Sequence, residues 1–291
     1  MVTSSTKWYR QPEVLQMSGT LLFMAAVFCI ATHRHPVQII SSFTAERVLT
    51  DATFPGSDQE DPALVTYIRR RLLDPPSSLS YNLTYPEVEH QSQFDQSAYV
   101  DEDLLHGMKD GFFVEVGATD GEYLSNTLFL ERKRNWTGLL VEPFPETYEK
   151  LLSKNRKAYS VNTAVALNSV SNEVFFKPIG YKGVLSHIVD SSKEAIKVKA
   201  LPLYSILLAL NVTVIDFLSL DIKGDEMKVL RTLPWDKIKI RLLCVEINHI
   251  PEGEGVLREY MQSQGYKFLG VRDVDAWFAL PQLLNQTMNK S

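Results

Sequence analysis

The sequence predicts a doubly wound, mostly parallel α/β domain in its C-terminal part, on three observations. Short apolar runs alternate with amphipathic helical spacings after Leu105, and those runs are continuous, as strands buried on both faces require. Polar or charged residues recur where each run ends. The first strand is read at 111–116 (GFFVEV), followed by a loop between Gly117 and Gly121 and a helix over about 125–133. The second is at 138–142. Pro145, with φ pre-set for a first helical turn, opens a helix in which Tyr148, Leu151 and Leu152 share a face. A third strand is expected at 160–167, a short extra one at 174–177, and a helix at 203–210 leading into a fourth at 214–221. Met227 and Leu230 mark the next helix; a strand at 242–247, a helix at 256–264 and strands at 266–269 and 276–280 complete a domain placed at 108–281, with a tail at 282–291.

The chain of 291 residues carries 30 basic and 35 acidic side chains, a net charge of −5, which leaves no electrostatic footprint for nucleic acid. Cys29 and Cys244 are too few for a disulfide framework, and no Cys/His pair has zinc spacing, so no metal is expected. A mean hydropathy of −0.10 excludes a polytopic membrane protein but averages over one apolar segment. Residues 14–32 carry no charge over about 19 residues, close to the ~20 that span a hydrocarbon core as a helix. They predict a transmembrane signal-anchor after a short cytoplasmic tail at 1–13. A cleavable signal peptide is the alternative, because 21–30 has h-region length.

Five Asn-X-Ser/Thr acceptors, at Asn82, Asn135, Asn211, Asn285 and Asn289, all follow that segment. They predict a lumenal or extracellular body on a membrane of the endoplasmic reticulum, Golgi, endosome or cell surface. Asn82, Asn135 and Asn211 are the stronger glycosylation candidates, since the other two sit at the extreme C-terminus. Residues 33–107 are rich in turn residues and read as a stem, interrupted by one short helix near 62–73. There Asp61 is placed to cap, Pro62 takes the first position, Leu64, Ile68 and Leu72 share a face, and Pro75-Pro76 ends it.

In open α/β sheets ligands sit at the carboxyl ends of the strands, near the point where strand order reverses. The expected strands end in Glu115-Val-Gly-Ala-Thr-Asp-Gly121, Glu142, Asn162-Thr163, Asp221 and Glu246-Ile-Asn-His249. Gly117 and Gly121 let the backbone turn close to a ligand, with a spacing unlike the dinucleotide G-x-G-x-x-G. Glu142 ends the neighbouring strand, where a carboxylate suits a ribose diol. This combination tilts the cofactor towards S-adenosylmethionine.

The stretches GFFVEVGATDGEYLSNTLFLE (111–131), GLLVEPFPETYEKL (138–151), DFLSLDIKGDEMKVLRTLPW (216–235) and RLLCVEINH (241–249) resemble the FkbM-type branch of class I S-adenosylmethionine-dependent methyltransferases. The resemblance implies that Glu115, Gly117, Ala118, Asp120 and Gly121 frame the methionine end of the cofactor. By the same resemblance Glu142 binds the ribose hydroxyls, Asn162 and Thr163 approach the adenine edge, and Asn126 closes the loop or caps its helix. One position departs from the pattern. The family's fourth-strand motif Asp-x-Glu-Gly-x-Glu reads here Asp221-Ile-Lys223-Gly224-Asp225-Glu226, which inverts a charge beside the expected methyl-transfer centre. Lys223 reads as a surface lysine beside Asp225 or as a base; Glu246 reads as structural or substrate-facing. Asp221 and His249 are the candidate proton acceptors, and Cys244 is a small core residue.

The N-terminal apolar segment, the stretch DPALVTYIRRRLLDPPSSLSYNL (61–83) and SNTL (125–128) also resemble the Star group of arthropod secretory-pathway membrane proteins. That resemblance implies assistance to transport of membrane-tethered cargo, such as EGF-like ligands, from the endoplasmic reticulum to the Golgi or endosome. The function expected is therefore that of a cargo-assisting membrane protein, with an active O-methyltransferase on hydroxyl acceptors such as glycans as the alternative.

Overall fold

The computed structural model describes residues 54–177, 179, 187–189 and 193–288. The expected anchor at 14–32 and the tail at 1–13 lie outside these residues; among the described residues no helix is long and apolar enough to cross a membrane. In chain order the strands are β1 (Leu73–Asp74), β2 (Phe112–Val116), β3 (Thr137–Val141), β4 (Tyr159–Val161), β5 (Ala164–Val165), β6 (Asn172–Lys177), β7 (His187–Val189), β8 (Ile196–Leu201), β9 (Val214–Leu220), β10 (Lys239–Glu246), β11 (Lys267–Arg272) and β12 (Asp275–Ala279). The helices are α1 (Pro62–Tyr67), α2 (Gln96–Ala98), α3 (Leu128–Arg134), α4 (Pro145–Ser153), α5 (Leu203–Leu210), α6 (Glu226–Thr232), α7 (Gly253–Ser263) and α8 (Pro281–Met288). Wide helical turns extend α1 through Ile68–Leu72 and α2 through Tyr99–Leu104.

The large sheet has the order β1-β4-β3-β2-β9-β10-β12-β11. The five strands from β4 to β10 in that order run parallel, β12 is antiparallel to both its neighbours, and β1 closes the opposite edge antiparallel to β4. Side chains of the central strands alternate between two cores. Val114, Leu139, Leu218 and Leu243 pack on one face beneath α1, α5, α6 and α7. Phe113, Leu140, Phe217 and Leu242 pack on the other with α3, α4 and α8. Each of these side chains stabilises the fold by about 1.5–3 kcal/mol on burial. Continuous apolar runs are therefore the pattern this sheet requires.

Helix ends follow local chemistry. Asp61 Oδ1 accepts from the Ala63 amide at 2.8 Å and Pro62 takes the first position of α1. Asn135 and Asn211 end α3 and α5 in the left-handed conformation, each at φ 57°. Arg69, projecting from the wide turn after α1, donates to the Ala209 carbonyl at 2.6 Å and to the Leu208 carbonyl and Asn211 Oδ1 at 3.0 Å. It thereby pairs its charge with the negative end of α5.

Two expectations change. The strand expected at 160–167 breaks at Asn162-Thr163: β4 stays in the large sheet, whereas β5 joins a second sheet of order β5-β8-β6-β7. No glycine or proline marks that break, so an apolar run hides it. Residues 54–105, expected to be stem, are part of the domain. Phe54, Leu64, Ile68 and Val100 have no exposed surface, β1 pairs Leu73 with Val161, and Asp74 accepts from Tyr148 Oη at 2.7 Å. These partners are distant in sequence, which is why local periodicity gave no sign of them. Asn82, Asn135 and Asn211 lie exposed on the surface; the side chains of Asn285 and Asn289 lie outside the described residues.

Candidate active site

The strand order reverses between β2 and β9, and the turn after β2 draws their ends together. Gly117 has φ +89°, and a Cβ there would stand 2.3 Å from the Asp221 carbonyl oxygen, so only glycine fits. The Asp221 amide in turn donates to the Val116 carbonyl at 3.2 Å. Above these strand ends opens a cavity of about 330 Å³. Glu115, Gly117, Asn126, Glu142, Thr163, Asp221 and His249 line it, whereas Ala118, Asp120, Gly121 and Asn162 stand behind it.

Glu115 is buried and points its carboxylate at the loop before α3. It accepts from Ser125 Oγ at 2.9 Å, Thr127 Oγ1 at 2.6 Å and the Asn126 amide at 2.7 Å. Burial raises its pKa above the usual carboxylate range, opposed by Arg156 and by these donors. Its acceptors are thus spent on fixing the loop. Asn126 is the outcome: its Nδ2 donates to Ser219 Oγ at 2.9 Å, and its buried Oδ1 has no hydrogen-bond partner among the described residues.

Glu142 is 6% exposed. Its Oε2 accepts from the Thr119 amide and its Oε1 from the Phe144 amide, each at 2.9 Å. Burial pushes its pKa up to about 8, with the charge of Asp120 adding to the effect. Asp120 Oδ1 accepts the Glu122 and Tyr123 amides at 3.1 and 2.7 Å and so shapes the turn. Asn162 Nδ2 donates to the Glu142 and Pro143 carbonyls at 2.8 and 3.2 Å, holding the loop that presents Glu142. Thr163 Oγ1 donates to the Lys199 carbonyl at 2.9 Å. Behind the glycine turn lies Arg156, 3% exposed. It binds Glu131 Oε2 at 3.0 Å and Thr127 Oγ1 at 3.1 Å, and also donates to the Gly121 carbonyl. No sequence pattern marks Arg156, because its partners lie 25–35 residues away.

The other end of the cavity is acidic. Oxygens of Asp221, Glu226 and Glu246 lie within 4.8 Å of one another. Lys223 joins them, its Nζ 2.6 Å from Asp221 Oδ1. That ammonium places a positive charge among these carboxylates. Lys223 is not beside Asp225, which pairs with Lys228 at 2.6 Å; its left-handed backbone, φ 60°, turns it into the site instead. Burial alone would lower the Lys223 pKa, but the neighbouring carboxylates, Asp221 foremost, outweigh it and raise it, favouring the charged ammonium. Glu226 is fully buried and accepts the Ile222 and Gly224 amides, each at 2.9 Å, clamping the loop. His249 is half-exposed, with Nε2 4.0 Å from Glu246 Oε1.

A parallel sheet that reverses at β2/β9 and carries an antiparallel strand between its last two, with a glycine turn and a neighbouring strand-end carboxylate framing one cavity, is the class I methyltransferase arrangement. Residues 115–268 match the methyltransferase FkbM domain, more than half of the chain, and the protein belongs to that family, whose cofactor is S-adenosylmethionine. Among solved structures the chain is similar to the FkbM methyltransferase of Methylobacillus flagellatus KT, at 15% identity and TM-score 0.44 over 74% of this chain and 58% of that one. It is also similar to M. capricolum TrmK in complex with S-adenosylhomocysteine, at 10% identity and TM-score 0.36 over 65% of this chain and 68% of that one. A human methyltransferase 10 domain containing protein matches at 12% identity and TM-score 0.37, over 74% and 92% of the two chains. No curated protein matches the chain.

Proposed function

We propose that the domain binds S-adenosylmethionine and methylates a hydroxyl acceptor. The cofactor supplies an electrophilic methyl on a sulfonium; the chain must hold it, exclude water and take up the acceptor's proton. The observation that carries this reading is Glu142, a buried carboxylate on the cavity whose two oxygens each accept one backbone amide and retain a lone pair for a diol. The free Oδ1 of Asn126 offers an acceptor to an ammonium such as that of the methionine moiety. Titration calorimetry of S-adenosylmethionine against the full chain tests it: binding that Glu142→Ala abolishes supports the assignment, and no heat at high micromolar cofactor refutes it.

A second reading, escort of membrane-tethered cargo such as EGF-like ligands from the endoplasmic reticulum towards the Golgi or endosome, is favoured by one observation. The Lys223–Asp221 ion pair ties up a carboxylate where an acceptor would stand. In this reading the anchor at 14–32 is membrane-embedded and the domain lumenal, in keeping with the exposed Asn82, Asn135 and Asn211. Unaltered surface delivery of tethered cargo in cells lacking the protein would eliminate it.

A further inference from the structure

We propose that Glu246 is the proton acceptor for the hydroxyl that receives the methyl group. This rests on the methyltransferase reading. Glu246 ends β10, lines the cavity and is 3% exposed, yet its Oε2 has no hydrogen-bond partner among the described residues. A buried, unpartnered carboxylate oxygen costs stability unless a ligand supplies the missing donor. An acceptor hydroxyl is such a donor.

The alternatives fit less well. Asp221 Oδ1 also accepts no hydrogen bond among the described residues, but the Lys223 ammonium stands 2.6 Å from it and already compensates its charge. Glu226 has each oxygen engaged by a loop amide. His249 stands half in solvent. Across the sheet, β3 and β10 are separated by β2 and β9, three strand spacings, or roughly 14 Å at the strand ends. Glu142 and Glu246 therefore bracket opposite ends of the cavity, one suited to the ribose and one to the acceptor.

In the step assigned to Glu246, the acceptor O–H proton passes to Oε2 as the oxygen bonds to the methyl carbon. The C–S bond breaks with its electron pair on sulfur, leaving a neutral thioether and a methyl ether. The group must be ionised beforehand. Burial pushes its pKa up to about 7, opposed by Lys223 and reinforced by Asp221 and Glu226 at the β9–α6 turn and by Asp275 on β12; His249 follows on its own strand. Because carboxylates outnumber the single ammonium here among the described residues, a neutral polyhydroxylated acceptor is favoured over an anionic one.

The test needs no known acceptor. In sinefungin a carbon replaces the sulfur and bears an ammonium where the methyl would stand, whereas S-adenosylhomocysteine has a neutral thioether there. Affinities of both are measured by calorimetry on the full chain, as wild type, Glu246→Gln and His249→Gln. Wild type is expected to prefer sinefungin by about tenfold or more, the worth of one charge-assisted hydrogen bond. Glu246→Gln is expected to erase that preference while leaving S-adenosylhomocysteine binding within about twofold. A preference that survives in Glu246→Gln, or that His249→Gln removes instead, overturns the assignment alone. Failure of wild type to bind S-adenosylhomocysteine overturns the cofactor reading and this one with it.

Discussion

Replacing Gly117 by alanine tests whether the turn after β2 sets the geometry of the site. The new methyl group would stand 2.3 Å from the Asp221 carbonyl oxygen, about 1 Å inside a tolerable contact, so the ends of β2 and β9 must separate. Two costs add. An L-residue held at φ +89° loses about 1–2 kcal/mol, and relieving the overlap costs about 1–3 kcal/mol. The sum, about 2–5 kcal/mol, corresponds to a fall of roughly 4–20 °C in Tm for a domain of this size. Thermal unfolding followed by circular dichroism measures it, with Gly265→Ala as a comparison: that glycine also has positive φ, but a Cβ there meets nothing within 4 Å. Equal losses for the two variants would refute the reasoning, because only Gly117 faces the opposing strand.

The Glu142 carboxyl, with its pKa raised to about 8 against an ordinary value of 4.5, binds its proton more tightly in the folded than in the unfolded state. Its contribution is therefore complete below about pH 4.5 and lost as pH rises through 8, and Glu142→Gln should flatten the fall in urea midpoint between about pH 5 and 8. Arg156→Met leaves Glu131 buried without its cation and should cost about 3–5 kcal/mol in chemical denaturation, part of which Arg156→Met/Glu131→Gln recovers. A chain beginning at residue 106 lacks Phe54, Leu64, Ile68 and Val100, whose burial is worth about 6–12 kcal/mol together. That is comparable to the whole stability of a domain, so the fragment should be cleaved by dilute protease at sites the full chain protects.

What could be read from the sequence depended on how far apart the partners lie. Every strand of the large sheet from β2 onwards was legible, because continuous apolar runs of strand length need no knowledge of their neighbours. β8 is not among the expected strands, although Ile196, Val198 and Ala200 alternate with Lys197 and Lys199, the period-two signal of a half-buried strand. Residues 54–105 could not be placed by local pattern, since their contacts reach across the chain: Ser171 Oγ donates to the Phe54 carbonyl, 117 residues away.

In the site, glycine spacing and strand-end carboxylates located the cavity but not the division of labour within it. Glu115 faces inward as expected, yet its hydrogen bonds go to Ser125, Asn126 and Thr127, hydroxyl and amide donors that no spacing rule singles out. Proximity in sequence favours Asp225 as the neighbour of Lys223, whereas the left-handed turn at Lys223 brings it to Asp221.

The burial of Phe54 shortens the tether available to the domain. In the reading that anchors residues 14–32 in a membrane, only 33–53 separate the bilayer from the folded body, and 21 residues at full extension reach roughly 70 Å. A free segment from 33 to 107 would have allowed roughly 250 Å. In that reading the segment left to act as a linker is less than a third as long as the turn-rich composition of 33–107 suggests.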